Sequence, residues 1–465
     1  MITWRRYSVR ERSLWSAPLL GFLAAGLTGC GDLLKVDNPN NLRGEDIELP
    51  VAGTAMANGV QALVAHGVNG ASIIYHTVTD ELEWSGSRDG FRELDQGKIS
   101  NAYNEFTDGF YRDYAPGNIA EARWMADEAI RILEQQDANG TIRNRLDLAR
   151  VYFYAAIAYV TIANVYDDWA FSDAPKREWG APVGPQNMGT LYDKAITYLT
   201  KGMAIADAVG DLAHRRAIRA MRARANFDRA IWERVNPPRG GAGLVDPNSK
   251  YVTDAVADAQ AALALMSGAP DYEYRFTFSV ATGSPAQGAW IASRQENRLG
   301  RTYVAPHPTS PTWLNQVVIM DPIDNKPSPI VDRIQRRFRR DVGEGVYVGY
   351  TVVSAREMHL ILAEAALARN DIVGFQTAIN NLRALDGLTP WNPASSVSAR
   401  DLLIHSRQTN LFMQTRRLSD HYRFNIPSRE WLPGAQVLVN PGMFFPIPAT
   451  ECLSNPNIGR ERCST

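Results

Sequence analysis

The chain has 465 residues, 45% hydrophobic, 21% charged and 9% aromatic, a balance that excludes a disordered, collagenous or coiled-coil chain and a multi-span membrane protein. That length can bury one large helical body or two ordinary domains. With 49 Lys and Arg against 50 Asp and Glu, the net charge of −1 lacks the basic footprint of a nucleic-acid binder, and none is expected as a partner.

The first thirty residues read in three parts: a basic stretch with Arg5, Arg6, Arg10 and Arg12, an apolar run from Leu14 to Leu27, then Leu27-Thr28-Gly29-Cys30. This is the pattern of a secretory signal, with an apolar run too short to span a bilayer comfortably. Ending on a cysteine, it resembles a bacterial lipoprotein signal. The resemblance implies a signal peptide over residues 1–29 and Cys30 as a lipidated N-terminus, whose acyl chains, at about 0.8 kcal/mol per buried CH₂, tie the protein to a membrane. Removing the leader's four arginines and one glutamate takes the charge from −1 to −4. Residues 30–52, with Val36-Asp37-Asn38-Pro39-Asn40-Asn41-Leu42, are polar and turn-rich and read as a tether.

A single domain is expected over residues 53–465. Helical periodicity predicts helices near 53–68, 117–137, 141–166, 190–209, 213–235, 251–267, 355–369, 371–386 and 398–417. They fall in pairs: Leu191, Ala195, Tyr198, Leu199, Gly202 and Ile205 share one face, and Ala213, Ala217, Ala220, Met221, Arg224, Phe227 and Ile231 follow across Gly210-Asp211. Small residues at such contacts let helix axes approach closely, as in tetratricopeptide-like hairpins. The expected fold class is therefore all-α dominated, a tetratricopeptide-like scaffold with long irregular insertions and a few short strands. The insertions lie near 72–116 and 268–352, and long loops in a compact body are usually functional. Within the second, Tyr272 to Phe278 alternates like a strand, and Gly343 to Gly349 suggests part of a hairpin.

These residues resemble the SusD/RagB family of outer-membrane nutrient-binding lipoproteins. The resemblance rests on Cys30 with Leu34-Lys35-Val36-Asp37-Asn38-Pro39, on Ala149-Arg150-Val151-Tyr152-Phe153-Tyr154-Ala155 leading to Ala163-Asn164-Val165-Tyr166, and on Leu191-Tyr192-Asp193-Lys194-Ala195-Ile196. Further along come Ala363-Glu364-Ala365, Ala378-Ile379-Asn380-Asn381-Leu382-Arg383, and the most specific part, Phe445-Pro446-Ile447-Pro448-Ala449-Thr450-Glu451 with Asn455-Pro456. One departure precedes that ending. Ser406, Asn410 and Gln414 stand where acidic residues are expected, while Arg407, Arg417, Asp420 and Arg423 are kept and are expected to serve internal helix-to-loop packing. The resemblance implies a lipid-anchored protein on the exterior of the outer membrane that binds an oligosaccharide or peptide and passes it to a SusC-like TonB-dependent β-barrel transporter, without breaking a bond.

Candidate ligand-binding residues follow from the insertions. Trp84, among acids and glycine in Thr79 to Asp89, is either a platform for a sugar ring or a plug onto the scaffold. Asp80 and Arg88 are its possible hydroxyl partners or plain solvated charges. Trp290, Tyr303 and Trp313 mark the second insertion, with Asn297 among the polar residues between the first two rings. Tyr152, Phe153, Tyr154, Tyr159, Tyr166, Trp124 and Trp232 sit within helical patterns and are assigned to the core.

Cys452 and Cys463, the only cysteines besides Cys30, are expected to form a disulfide in an exported chain. Two thiols without a nearby histidine do not suggest a metal site. Neither do nucleotide, zinc-protease or serine-hydrolase motifs occur, so no catalytic residue and no cofactor is expected. Two alternatives stay open. Asp80, Glu81 and Glu83 beside an aromatic allow a surface glycoside hydrolase, and paired helices allow a peptide-binding interaction module. The basic run Arg333, Arg336, Arg337, Arg339 and Arg340 reads as a solvated face or a phosphate contact.

Overall fold

The computed structural model describes residues 47–99, 104–114, 117–172, 178–306, 314–341 and 343–460. Cys30, the leader, Trp313 and Cys463 therefore lie outside the described residues. From Leu49 onward the chain forms one unit.

Its helices are α1 (Gly53–Thr77), α2 (Asp89–Asp95), α3 (Glu105–Asp108, continued by a π turn at Gly109–Asp113), α4 (Ile119–Ala138), α5 (Arg145–Val165), α6 (Gly189–Val209), α7 (Leu212–Val235), α8 (Lys250–Leu265), α9 (Pro329–Arg337), α10 (Ala355–Ala368), α11 (Ile372–Ala384), α12 (Ala399–Asn410), α13 (Arg417–Phe424), α14 (Gln436–Val439) and α15 (Ala449–Ser454). Six short strands make three separate antiparallel pairs: β1 (Leu82–Trp84) with β3 (Asn297–Leu299), β2 (Glu273–Phe276) with β6 (Tyr350–Ser354), and β4 (Val304–Pro306) with β5 (Leu314–Val317).

The long helices pack in succession, α4 on α5, α5 on α6, α6 on α7 and α7 on α8, with α10 joining α8 to α11 and α12. Local sequence fixes their ends. Asn118, Asn144, Asp211, Ser249, Ser354, Asp371 and Ser398 each accept a backbone N–H in the first turn of the helix that follows, the ordinary function of such side chains at an N-terminus. Gly210, at φ +78°, ends α6 in the left-handed conformation that glycine favours. α5 lies at the centre and is buried along nearly its whole length, which explains why it alone among the described helices is long and apolar enough to cross a membrane. Tyr152, Phe153, Tyr154, Tyr159 and Tyr166 are core residues. Gly202 on α6 permits the close crossing with α5, since a Cβ there would sit 3.2 Å from the Ala149 carbonyl oxygen.

Several boundaries differ from expectation. α1 continues nine residues beyond 68, so the first insertion begins at Val78. The segment expected as one helix over 398–417 breaks after Asn410, because Met413 and Thr415 adopt positive φ and the Met413 N–H donates to the Glu81 carboxylate at 2.7 Å. The glycine-rich run 343–349 forms a tight turn at Gly345–Tyr347 rather than a local hairpin, and the strand after it pairs with the distant β2. Four of the five arginines in the basic run are paired along α9 and its exit: Arg333 meets Asp271, Arg336 meets Asp332, Arg337 meets Glu273 and Arg339 meets Asp341.

Candidate functional site

The two insertions, separate in sequence, come together. In the β1–β3 ladder Trp84 faces Asn297 and Glu83 faces Arg298, and the Glu296 carboxylate then closes the next turn by accepting the Ser87 and Arg88 backbone N–H groups at 2.6 and 2.9 Å. A Cβ at Gly86 would collide with that carboxylate, so the close approach depends on glycine.

Most of the expected ligand residues are used internally here. Asp80 is buried, held by Arg417 at 2.8 and 2.7 Å and by His421 at 3.3 Å. Burial alone would raise its carboxyl, but the Arg417 and His421 charges outweigh that and hold it far below the usual range. Tyr303 is fully buried, stacked on Phe412 with centroids 4.2 Å apart, and Asn297 is fully buried as well. These three cannot meet a ligand at the surface, which corrects the expectation for them. The reason is pairing across hundreds of residues: the polar cluster that looks like a solvated turn is a set of anchors.

Trp84 is half-buried against the core, with the Arg92 guanidinium 5.7 Å from its ring centroid. Trp290 is half-buried in an aromatic nest with Phe91 and Phe106 at 5.2 and 5.1 Å and is covered by Arg294 at 4.6 Å. Both rings pack more than they present. Arg88 is exposed on the rim. The hydrolase alternative loses its carboxylates by the same pairing: Glu81 is bonded to His76 at 2.6 Å and to Met413 N–H, and Glu83 to Arg298 and Arg301 at 3.0 and 2.8 Å.

A ligand-sized concavity lies elsewhere. A cleft of about 340 Å³, at the lower end of the roughly 300–1,000 Å³ of small-molecule sites, opens where four segments meet: the π turn, the start of α4, the loop after α5, and α15. Asn118 caps α4 by accepting the Glu121 N–H at 2.7 Å, which places Glu121 and Trp124 on the outward side of its first turns. Trp124 therefore lines the cleft and is half-buried, a correction to its assignment to the core, whereas Trp232 does pack against the core. The opposite wall carries Phe171 and the well-exposed Trp179. The floor is fixed by Tyr111, tilted on Trp169 at 4.2 Å.

The cleft's cations are already engaged. Arg112 bonds Glu451 of α15 at 2.9 Å and stacks on Trp179 at 5.1 Å. Arg123 bonds Asp127 and the Ser172 carbonyl and stacks on Phe171 at 4.9 Å. The site escapes the sequence reading, which singled out none of its rings for a ligand. Its signal was there in Trp169, Phe171 and Trp179, three rings in a polar loop after a wholly apolar helix.

Among the described residues no cluster of histidine, cysteine and carboxylate groups suited to a metal is present. Cys452 is buried and disulfide-bonded, and the expected pairing with Cys463 falls outside the described residues.

No family profile matches the sequence, and no curated protein matches it. Solved structures do match. A SusD homologue from Bacteroides thetaiotaomicron superposes with a TM-score of 0.61 at 13% identity over 89% of this chain and 97% of its own. A SusD superfamily protein from Bacteroides vulgatus gives 0.59 at 12% identity over 88% and 99%. A SusD-like carbohydrate-binding protein from the same species gives 0.50 at 12% identity over 81% and 83%. The chain thus has the SusD-like fold, as the sequence resemblance implied.

Proposed function

We propose that the protein is a cell-surface glycan-binding lipoprotein that works with a TonB-dependent outer-membrane transporter, anchored through Cys30 and acting by binding rather than by hydrolysis. The observation that carries this reading is the SusD-like fold over nearly the whole of the described chain, one of whose bearers is described as carbohydrate-binding. Fold alone does not decide function, so the site must add to it. The aromatic and carboxylate-lined cleft supports the reading, because ring faces cover the apolar faces of sugars and charged oxygens accept hydroxyl hydrogen bonds. The use of Asp80 and Glu83 as buried ion-pair partners and of Glu81 as a buried hydrogen-bond partner supports binding over glycoside cleavage, which needs two carboxyl groups flanking an open bond. The test is an array of immobilised glycans probed with the purified soluble protein, with a reducing-sugar assay on every glycan that binds. Binding without sugar release is the expected result, and release abolished by Glu83→Gln is the result that favours the hydrolase.

A further inference from the structure

The ending of the chain, Phe445-Pro446-Ile447-Pro448-Ala449-Thr450-Glu451 with Asn455-Pro456, is built into the cleft. Phe445 still belongs to the main core, its N–H bonded to the Val165 carbonyl at 3.0 Å. From Ile447 onward the chain leaves that core and runs as a strap along the cleft wall. Glu451 accepts from Arg112 of the π turn at 2.9 Å and from Asn455 at 3.0 Å, and Ser454 accepts from the same guanidinium at 3.2 Å. Asn455 donates to the Gly180 carbonyl at 3.0 Å, and Asn457 donates to the Trp179 carbonyl. Gly180 is pressed in turn on the next layer, where an added Cβ would lie 1.8 Å from the Phe171 carbonyl oxygen. Arg112 and Trp179 thus hold their places at the cleft through the strap.

Little holds the strap itself. α15 has six residues, far short of what stands as a helix by itself in water. Its apolar contacts form a satellite cluster of Cys452, Ile447, Ile458 and Ala170, separate from the main core, while Leu453 beside them is 78% exposed. The remaining constraint is covalent, because Cys452, buried in that cluster, is disulfide-bonded. A segment with few buried apolar contacts opens ahead of the rest of a protein, and a disulfide opposes opening by limiting the open states.

We propose that residues 447–460 form a redox-sensitive strap: the Cys452 disulfide keeps this wall of the cleft fastened, and its reduction releases Arg112 and Trp179 while the helical scaffold stays folded. The effector is a dithiol reductant. One of its thiolates attacks a sulfur of the bond, and the second displaces the resulting mixed disulfide. Two electrons pass to the protein, whose two sulfurs take up protons and leave as thiols, and the reductant closes into its own disulfide. This holds whatever ligand the cleft takes.

The test is hydrogen exchange read by mass spectrometry on the purified lipid-free protein, oxidised and after dithiothreitol, with thiol titration showing that the Cys452 bond has opened. Reduction is expected to speed exchange at least tenfold at hydrogen-bonded amides of the strap, Asn455 and Ile458, and of the loop it holds, Val183, and to leave α5, α6 and α7 unchanged. Cys452→Ala is expected to exchange like the reduced wild type with or without dithiothreitol; should that variant fail to fold, the reduced wild type decides. Exchange unchanged after full reduction overturns the strap. Acceleration spread through α5, α6 and α7 overturns it too, since the disulfide would then stabilise the whole body. A dithiothreitol response that persists in Cys452→Ala would have another source and would equally overturn it.

Discussion

Asp80 and Arg417, 337 positions apart, meet in a bidentate ion pair at 2.8 and 2.7 Å inside the protein. The contact pins the start of the first insertion to α13, and α13 in turn is pinned to α10, since Arg423 bonds both Glu364 at 2.5 Å and Asp420 at 2.6 Å. Arg407 of α12 closes the network on Asp420 at 2.9 Å. The charges kept at Arg407, Arg417, Asp420 and Arg423 are thus the internal clamps that the sequence suggested.

Breaking one partner of such a pair leaves the other charge buried, which costs about 3–5 kcal/mol, more than the net worth of the pair itself. Arg417→Ala and Asp80→Ala are each expected to lower unfolding free energy by that amount in urea titrations. The double variant is expected to lose much less than the sum of the two. Additive losses would show that the pair is not coupled.

Asp95 gives the protein a pH dependence of unusual sign for a carboxylate. Burial pushes its carboxyl up to about 8, even though it accepts the Trp84 N–H at 3.2 Å, with Glu430 and Glu83 adding to the rise. The folded state therefore holds a proton that the unfolded state releases near pH 4. Its contribution to stability is complete below pH 4 and is lost as pH rises through 8. Asp95→Asn is expected to flatten the decline in melting temperature between pH 5 and 8.5, and an unchanged slope would contradict this assignment.

At acid pH the sign reverses. Burial raises the Asp420 carboxyl, but Arg407 and Arg423 prevail and bring it to about 2. Its stabilisation is present above pH 4 and is lost as pH falls toward 2. Asp420→Asn, which costs stability at pH 7, is expected to differ progressively less from wild type in melting temperature between pH 4 and 2. A gap that stays constant over that range would be the contrary result.

Trp290 serves packing in its nest with Phe91 and Phe106. Trp290→Ala is expected to cost about 2–3 kcal/mol, somewhat below the usual value for a fully buried ring because Trp290 is half-buried. Affinity of the folded fraction for any glycan bound by wild type is expected to stay within twofold. A stable variant with lost affinity would return Trp290 to the ligand site.

The scaffold was legible in the sequence because its information is local. Leu191, Ala195, Leu199 and Ile205 lie on one side of α6 whatever that side packs against, and Asp211 caps α7 three residues before His214. The candidate site was far less legible because its information is distant. Asp80 reads as a surface acid until Arg417 is placed beside it, and Trp84 reads as a platform until β3, more than two hundred residues on, pairs with its strand. Trp124 failed in the opposite direction. Helical context suggested burial, but its place beside exposed Glu121 at the start of α4 turns it outward.

We propose that Cys452 pairs with Cys463. Thiol titration of the denatured, unreduced protein is expected to find neither sulfur free. Cys463→Ser is expected to cost about 3 kcal/mol or less, the entropic value for a small loop. Two titratable thiols at these positions would refute the pairing.

The central claim is that this chain acts as the binding partner of an uptake barrel, and it is tested most directly by purifying the tagged, lipidated protein from its own outer membrane in mild detergent and identifying what accompanies it by mass spectrometry. The account predicts a large TonB-dependent β-barrel in near-stoichiometric amount, retained when Trp124 and Trp179 are replaced by alanine. Recovery of the protein alone, from membranes in which such barrels are intact, would contradict it.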